Sequence, residues 1–237
     1  MATLDSNSAR LERLERLEHL EHEVEACRRC PRLVAWREQV GEERRRSFAQ
    51  ETYWARPVPG FGDPRAHLVV VGLAPAAHGG NRTGRMFTGD RSGEWLFGAL
   101  HRAGFASQPI SDGRDDGLTL TGVFVTAAVR CAPPDNKPTT EERDTCLPYL
   151  AAELELLDAA SVYVALGAFA LHAIGTVFGL RPRPKFAHLA EFDIDGRRRV
   201  ISSYHPSQRN TFTKMLTTEM FDAVFERAKA LGAGPEY

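Results

Sequence analysis

Four cysteines, Cys27, Cys30, Cys131 and Cys146, are all the thiols of the chain, spaced C-x2-C, then a long gap, then C-x14-C. A C-x2-C pair grips one metal or one edge of a cluster, and Pro31 follows Cys30 as proline often follows cluster cysteines. Thiolate-only ligation suits a structural zinc or an iron–sulfur cluster, and spacing alone leaves the two even. Arg28, Arg29 and Arg130 stand beside these thiols in sequence, where cations would offset thiolate charge. One four-ligand site accounts for every cysteine, which favours ligation over scattered buried thiols.

Two further stretches could do chemistry. Leu68 to Trp95 opens on an apolar run and continues through Gly72, Gly79, Gly80, Gly84, Gly89 and Gly93, with Asn81, Arg82, Arg85, Phe87 and Asp90 among the glycines. Such a turn lets backbone approach a ligand and aim its N–H groups, and it is longer than a plain connection needs. Tyr204 to Thr211 carries His205 ahead of a tip, Pro206 to Arg209, whose hydroxyl, amide and guanidinium groups suit phosphate contact and entry into a base stack. Asp90 also reads as the N-cap of a helix starting near Arg91.

These stretches need a frame. Leu68 to Val71, Val123 to Val125 and Val162 to Leu166 are short, β-branched and fully apolar, as strands buried on both faces are. Ala190 to Ile194 and Arg199 to Ser203 flank Asp195-Gly196, a hairpin signal. Helices are expected over Gly93 to Leu100, from the Thr139 and Glu142 capping box to about Leu157, over Gly167 to Phe178, and near the end to about Leu231. The alternation predicts a three-layer α/β/α fold with a mostly parallel central sheet, and puts the loops after Gly72, Ala127 and Tyr204 at one carboxyl edge. Ser47 to Pro64 reads as an ordered loop packed by its rings, and Ala106 to Gly117 as a polar loop. Met1 to Ala9 is expected as a flexible tail. Leu11, Leu14, Leu17 and Leu20, each followed by glutamate, predict an appended surface helix whose leucines wind round it. Residues 1–22 are thus an appendage to a single domain over 23–237.

The chain has 237 residues, 43% of them hydrophobic, enough for one sizeable core, and a net charge of -1 that gives no global pull toward nucleic acid. Any such binding falls to local basic clusters: Arg44 to Arg46, Arg181 to Lys185, Arg197 to Arg199, and Arg209 with Lys214. No run reaches the roughly 18 apolar residues of a membrane span and no signal core opens the chain, so a cytoplasmic protein is expected.

The segments GLAPAAHGGNRTGRMFTGD, from Gly72 to Asp90, and HPSQRNT, from His205 to Thr211, with cysteines in these places, resemble the iron–sulfur uracil-DNA glycosylases, specifically type 5. The resemblance covers the chain from about Cys27 to the last helix. It implies a monofunctional DNA glycosylase of base excision repair that acts as a monomer on uracil and on hypoxanthine or ethenocytosine. It implies a [4Fe-4S] cluster of structural use on Cys27, Cys30, Cys131 and Cys146, with zinc as the alternative. Phe87 would stack on the extruded base, His205 would hydrogen-bond its carbonyl oxygen, and Asp90 would stabilise the sugar cation or position water. The base would be grasped between Phe87 and His205. Gly72, Leu73, Ala74, Phe87, Ala127, Asn136 and Ser207 make up the substrate-binding set. The chain departs from other branches at Leu73 and Ala74, which cannot activate water, and at Ala127, where relatives carry an asparagine that reads the uracil edge.

Monofunctionality rests on the lack of lysine in either loop core. The competing readings are a non-catalytic iron–sulfur DNA-binding module, whose glycine loop only grips phosphate, and a zinc-stabilised nucleotide hydrolase of the same class.

Overall fold

The computed structural model describes the backbone of residues 2–232 and the side chains from residue 8. Six strands, β1 (Phe61–Gly62), β2 (Leu68–Gly72), β3 (Val123–Ala127), β4 (Val162–Leu166), β5 (Glu191–Asp193) and β6 (Arg199–Ser203), form one sheet in the order β1-β3-β2-β4-β6-β5. The inner four are parallel, and the two short outer strands run antiparallel, β5 through the hairpin that Asp195-Gly196 predicts.

Every residue of β2, β3 and β4 is buried, because alternate side chains enter two separate cores. Val69, Val71, Phe124, Tyr163 and Val200 point to one side. There they meet α1 (Ala2–Glu25), α5 (Thr140–Leu156) and α6 (Ala168–Val177). Leu68, Val70, Val123, Val125, Val164 and Ile201 point to the other, against α4 (Arg91–Arg102) and α8 (Thr218–Gly232). Each large apolar side chain fully buried this way contributes roughly 1.5–3 kcal/mol. The result is the expected three-layer arrangement.

The amino-terminal arm differs from expectation. From Ala2 on, the stretch read as a flexible tail is the first turns of α1; Met1 lies outside the described residues. The helix is not merely appended: Leu17, Leu20 and Val24 are buried in the core shared with α5, while Leu11 is exposed. Positions three and seven apart share a helical face, so three apolar residues suffice for a seam although the leucine repeat drifts.

The capping box of α5 forms as read: Thr139 Oγ1 accepts from the Glu142 backbone N–H at 3.1 Å, and Glu142 accepts from the Thr139 N–H at 2.8 Å. Glu142 also takes two 2.7 Å bonds from Arg32 of α2 (Pro31–Glu43). That fork ties the helix that follows Cys30 to the helix that carries Cys146.

Candidate active cleft and cysteine site

The loops after β2, β3 and β6 converge at the carboxyl edge of the sheet, as the topology predicts, around a cleft of about 750 Å³. Leu73, Ala74, Phe87, Asp90, Asn136, His205 and Ser207 all line it. Gly72 and Ala127 do not. Both are buried at the paired ends of β2 and β3, beneath the cleft floor.

Phe87 is held in a left-handed backbone conformation, φ 54°, an arrangement that persists in a non-glycine residue only when its surroundings over-determine it. Gly72 does part of this work: a Cβ there would stand 2.5 Å from the Phe87 ring, so any side chain would displace it. The rest comes from the Ala106 to Gly117 loop. Buried Arg85 bonds Ser111 Oγ at 2.6 Å and the Arg114 carbonyl at 3.1 Å, and is paired with Asp116. Thr88 Oγ1 meets the same Ser111 Oγ at 2.6 Å, and the Gly89 N–H donates to the Ser111 carbonyl at 2.8 Å. Ser111 therefore fastens the chain on both sides of Phe87. Replacing Ser111 by alanine strips two buried polar groups of a partner, an expected loss of about 1–3 kcal/mol in urea denaturation. Catalytic turnover should fall with it, and stability lost with turnover unchanged would mean that the clamp does not set Phe87.

Asp90 serves the helix and faces the cleft at once. Its Oδ1 accepts from the Gly93 N–H at 3.0 Å as the N-cap of α4. Its Oδ2 packs against Gly79, where a Cβ would come within 2.1 Å, so only glycine fits beside the carboxylate. Burial pushes the carboxyl above the ordinary range, against the pull of the Gly93 and Ser92 N–H groups.

His205 follows β6 directly, and its ring lies 5.9 Å from that of Phe87, centroid to centroid, at 28°. Two distant segments thus share one rim. A planar base inserted face to face between them would need about 7 Å, twice the van der Waals separation of carbon atoms. The expected grasp of a base between the two rings therefore does not fit this spacing. Burial lowers the His205 imidazole to about 4, so it is neutral at physiological pH. Asn210 holds the loop, its amide donating to the His205 carbonyl at 2.9 Å, and its own N–H reaches Ser207 Oγ at 3.4 Å.

Three residues of the cleft were not singled out in the sequence: His78, Arg91 and Lys137 line it too. Two of the four basic clusters, through Arg45 and Arg209, reach the cleft. Arg181 and Arg183 instead line a separate groove with Arg143 and His172. Lys137 follows β3 in a stretch where composition carries no period to mark it. Asn136 is left-handed, φ 54°, a conformation that asparagine tolerates well.

The four cysteines line one apolar cavity with Leu33, Val34, Val129 and Tyr149. The cation closest to a thiol is not one of the arginines expected. Arg37, fully buried on α2, donates to Cys131 Sγ at 3.0 Å. Arg28 pairs with Glu38, Arg29 lies over the Tyr149 ring, and the Arg130 guanidinium pairs with Glu153. The Arg130 backbone N–H does reach Cys146 Sγ, at 3.4 Å. Burial pushes the Cys131 thiol up to about 12 and that of Cys146 up to about 11. Among the described residues, no three His, Cys, Asp or Glu side chains are placed to hold a single metal ion.

No helix among the described residues is long and apolar enough to cross a membrane. The family model of the Uracil DNA glycosylase superfamily matches residues 59–229. The chain is 56% identical over 207 residues to the Type-5 uracil-DNA glycosylase of Thermus thermophilus, covering 87% of this chain and 94% of that one. It is 51% identical over 211 residues to that of Mycobacterium tuberculosis, covering 88% and 79%, and 50% over 212 residues to that of Mycobacterium leprae, covering 88% and 93%.

Proposed function

The chain belongs to the Type-5 uracil-DNA glycosylases of the uracil DNA glycosylase superfamily, and from that premise we propose that it extrudes uracil from DNA and hydrolyses the N-glycosidic bond. The observation that carries the reading is the convergence of Phe87 and His205 on one rim of the cleft. The base lies on the Phe87 ring, and His205, neutral, donates a hydrogen bond to the carbonyl oxygen where negative charge grows as the bond breaks. Asp90, in the cleft lining, faces the sugar, stabilising its developing cation or holding the attacking water. Asn136 offers the amide that Ala127 lacks, from the cleft wall and not from the end of β3.

Leu73 and Ala74 contribute surface and no base-specific bond, so the pocket also accepts hypoxanthine and ethenocytosine. Lys137 at the cleft makes the monofunctional reading worth testing directly, because it lies outside the two loops on which that reading rested. An amine nucleophile is activated by desolvation or a cationic neighbour, and Lys137 is exposed. Borohydride should trap no covalent adduct.

The cysteine cavity suits a [4Fe-4S] cluster held by Cys27, Cys30, Cys131 and Cys146. A lone zinc would draw its sulfurs to about 2.3 Å from one point. Among the described residues, four thiols and no other ligand type line the cavity, a donor set that such a cluster takes, and Arg37 would offset its charge. When bound it would cross-link the segment before α2 to the segment after β3 and to α5 itself, a structural use. The site is complete within one chain, consistent with a monomer, and reduced thiols fit the cytoplasm.

The test is incubation with duplexes carrying uracil, hypoxanthine or ethenocytosine, followed by alkali cleavage, with a visible absorbance spectrum of the same sample. Release of free uracil is expected. Equal binding to intact and damaged duplex without release would leave the non-catalytic module, and activity on free nucleotides by a colourless protein would leave the zinc hydrolase.

A further inference from the structure

His78 lines the cleft and takes no part in the chemistry above. Its hydrogen bonds fix its tautomer. The Arg45 backbone N–H donates to the Tyr53 hydroxyl oxygen at 3.3 Å, and that hydroxyl lies 3.0 Å from His78 Nδ1. Tyr53 is 7% exposed and meets the imidazole edge-on, so its proton has one direction to go. It goes to Nδ1, which accepts, and the ring's proton then sits on Nε2. The ring backbone is fixed as well, because the His78 carbonyl accepts from Arg82 Nε at 2.9 Å. Nε2 is absent from the enclosed polar atoms and bonds no protein group among the described residues, so it opens toward the cleft. Arg45 lines the cleft beside it and brings a positive charge.

A neutral N–H donor on a rigid mount next to a guanidinium is a seat for a singly charged oxyanion. We propose that His78 Nε2–H, with Arg45, binds a phosphodiester oxygen of the DNA strand next to the extruded nucleotide, with Tyr53 as the positioning residue behind it. The inference rests on the glycosylase reading and extends it to strand recognition.

The test uses the full-length protein and a duplex with a single uracil. His78→Ala should raise KM about tenfold, the worth of a hydrogen bond to a charged acceptor, with kcat nearly unchanged. His78→Gln, which keeps an N–H donor, should recover most of the loss, and Tyr53→Phe should reproduce part of it. His78→Ala should leave the salt dependence of binding intact, whereas Arg45→Ala should flatten it. Methylphosphonate placed at each phosphate flanking the uracil should, at one position, weaken wild-type binding and cost clearly less in His78→Ala, where only the attraction of Arg45 is left to lose.

Additive losses at every position, or a fall in kcat without a change in KM, would overturn the proposal. Binding is read by fluorescence anisotropy on an uncleavable 2′-fluoro-deoxyuridine duplex. A protein that showed the His78 effect there but released no base would refute the glycosylase reading and leave the phosphate seat standing.

Discussion

Replacing Arg130 by alanine is expected to cost about 3–5 kcal/mol of stability, the penalty for leaving the other half of a buried ion pair without its partner. Arg130 and Glu153 are joined at 2.7 and 3.1 Å, with side chains only 2% and 3% exposed. The backbone of Arg130 also accepts from the Val58 N–H at 2.8 Å and donates to Cys146 Sγ. The pair with Glu153 therefore anchors the segment after β3 whose backbone reaches both Val58 and a thiol of the cysteine cavity. Urea denaturation should show the midpoint fall sharply for Arg130→Ala, and the double change Arg130→Ala with Glu153→Leu should recover a large part of the loss by removing the orphaned charge. A single-variant loss below about 1 kcal/mol would mean that water reaches the pair and supplies the missing contacts.

His205→Ala is expected to reduce kcat by about 10² to 10³, the range for deleting one donor at a site of developing negative charge. The pH dependence separates its role from that of Asp90. His205 loses its proton at about 4, so across pH 5 to 8 it is a neutral donor and places no limb on the rate profile. Asp90 is raised instead, so if its ionised form is the active one, the acid limb lies above the ordinary carboxylate range and disappears in Asp90→Asn. An acid limb that survived in Asp90→Asn and vanished in a His205 variant would reverse the two roles. Linkage follows the same directions. The folded chain takes up a proton at His205 less readily than the unfolded chain, whose imidazole titrates near 6.5. Stability from this group is complete above that value and declines as pH falls toward 4.

Much of the fold was legible because its signals are local. The β-branched runs at Leu68, Val123 and Val162 have no other low-energy fate than strands covered on both faces, and Thr139 with Glu142 marks a helix start by its own hydrogen bonds. That the loops after β2 and β6 share one edge followed from sheet topology, and the pairing of Phe87 with His205 from the resemblance. The Ser111 clamp was not legible, since a polar loop without periodicity does not announce which distant backbone it will hold. Arg37 is one of two arginines on α2, and only packing shows that it is the one beneath a thiol. The burial of α1 escaped for a similar reason: whether a drifting leucine repeat finds a partner depends on the partner's surface, here α5. Lys137 reached the cleft through a turn whose left-handed residues, Asp135 and Asn136, no spacing rule marks.

The absence of side chains at Gly72 and Gly79 divides the cleft into a part that tolerates redesign and a part that does not. Anyone seeking to retune the cleft would gain nothing by decorating those two positions, since the first addition there collides with the Phe87 ring or the Asp90 carboxylate. The adjustable wall is Leu73, Ala74 and Asn136, where a library of substitutions could trade breadth for selectivity while the chemistry stays in place.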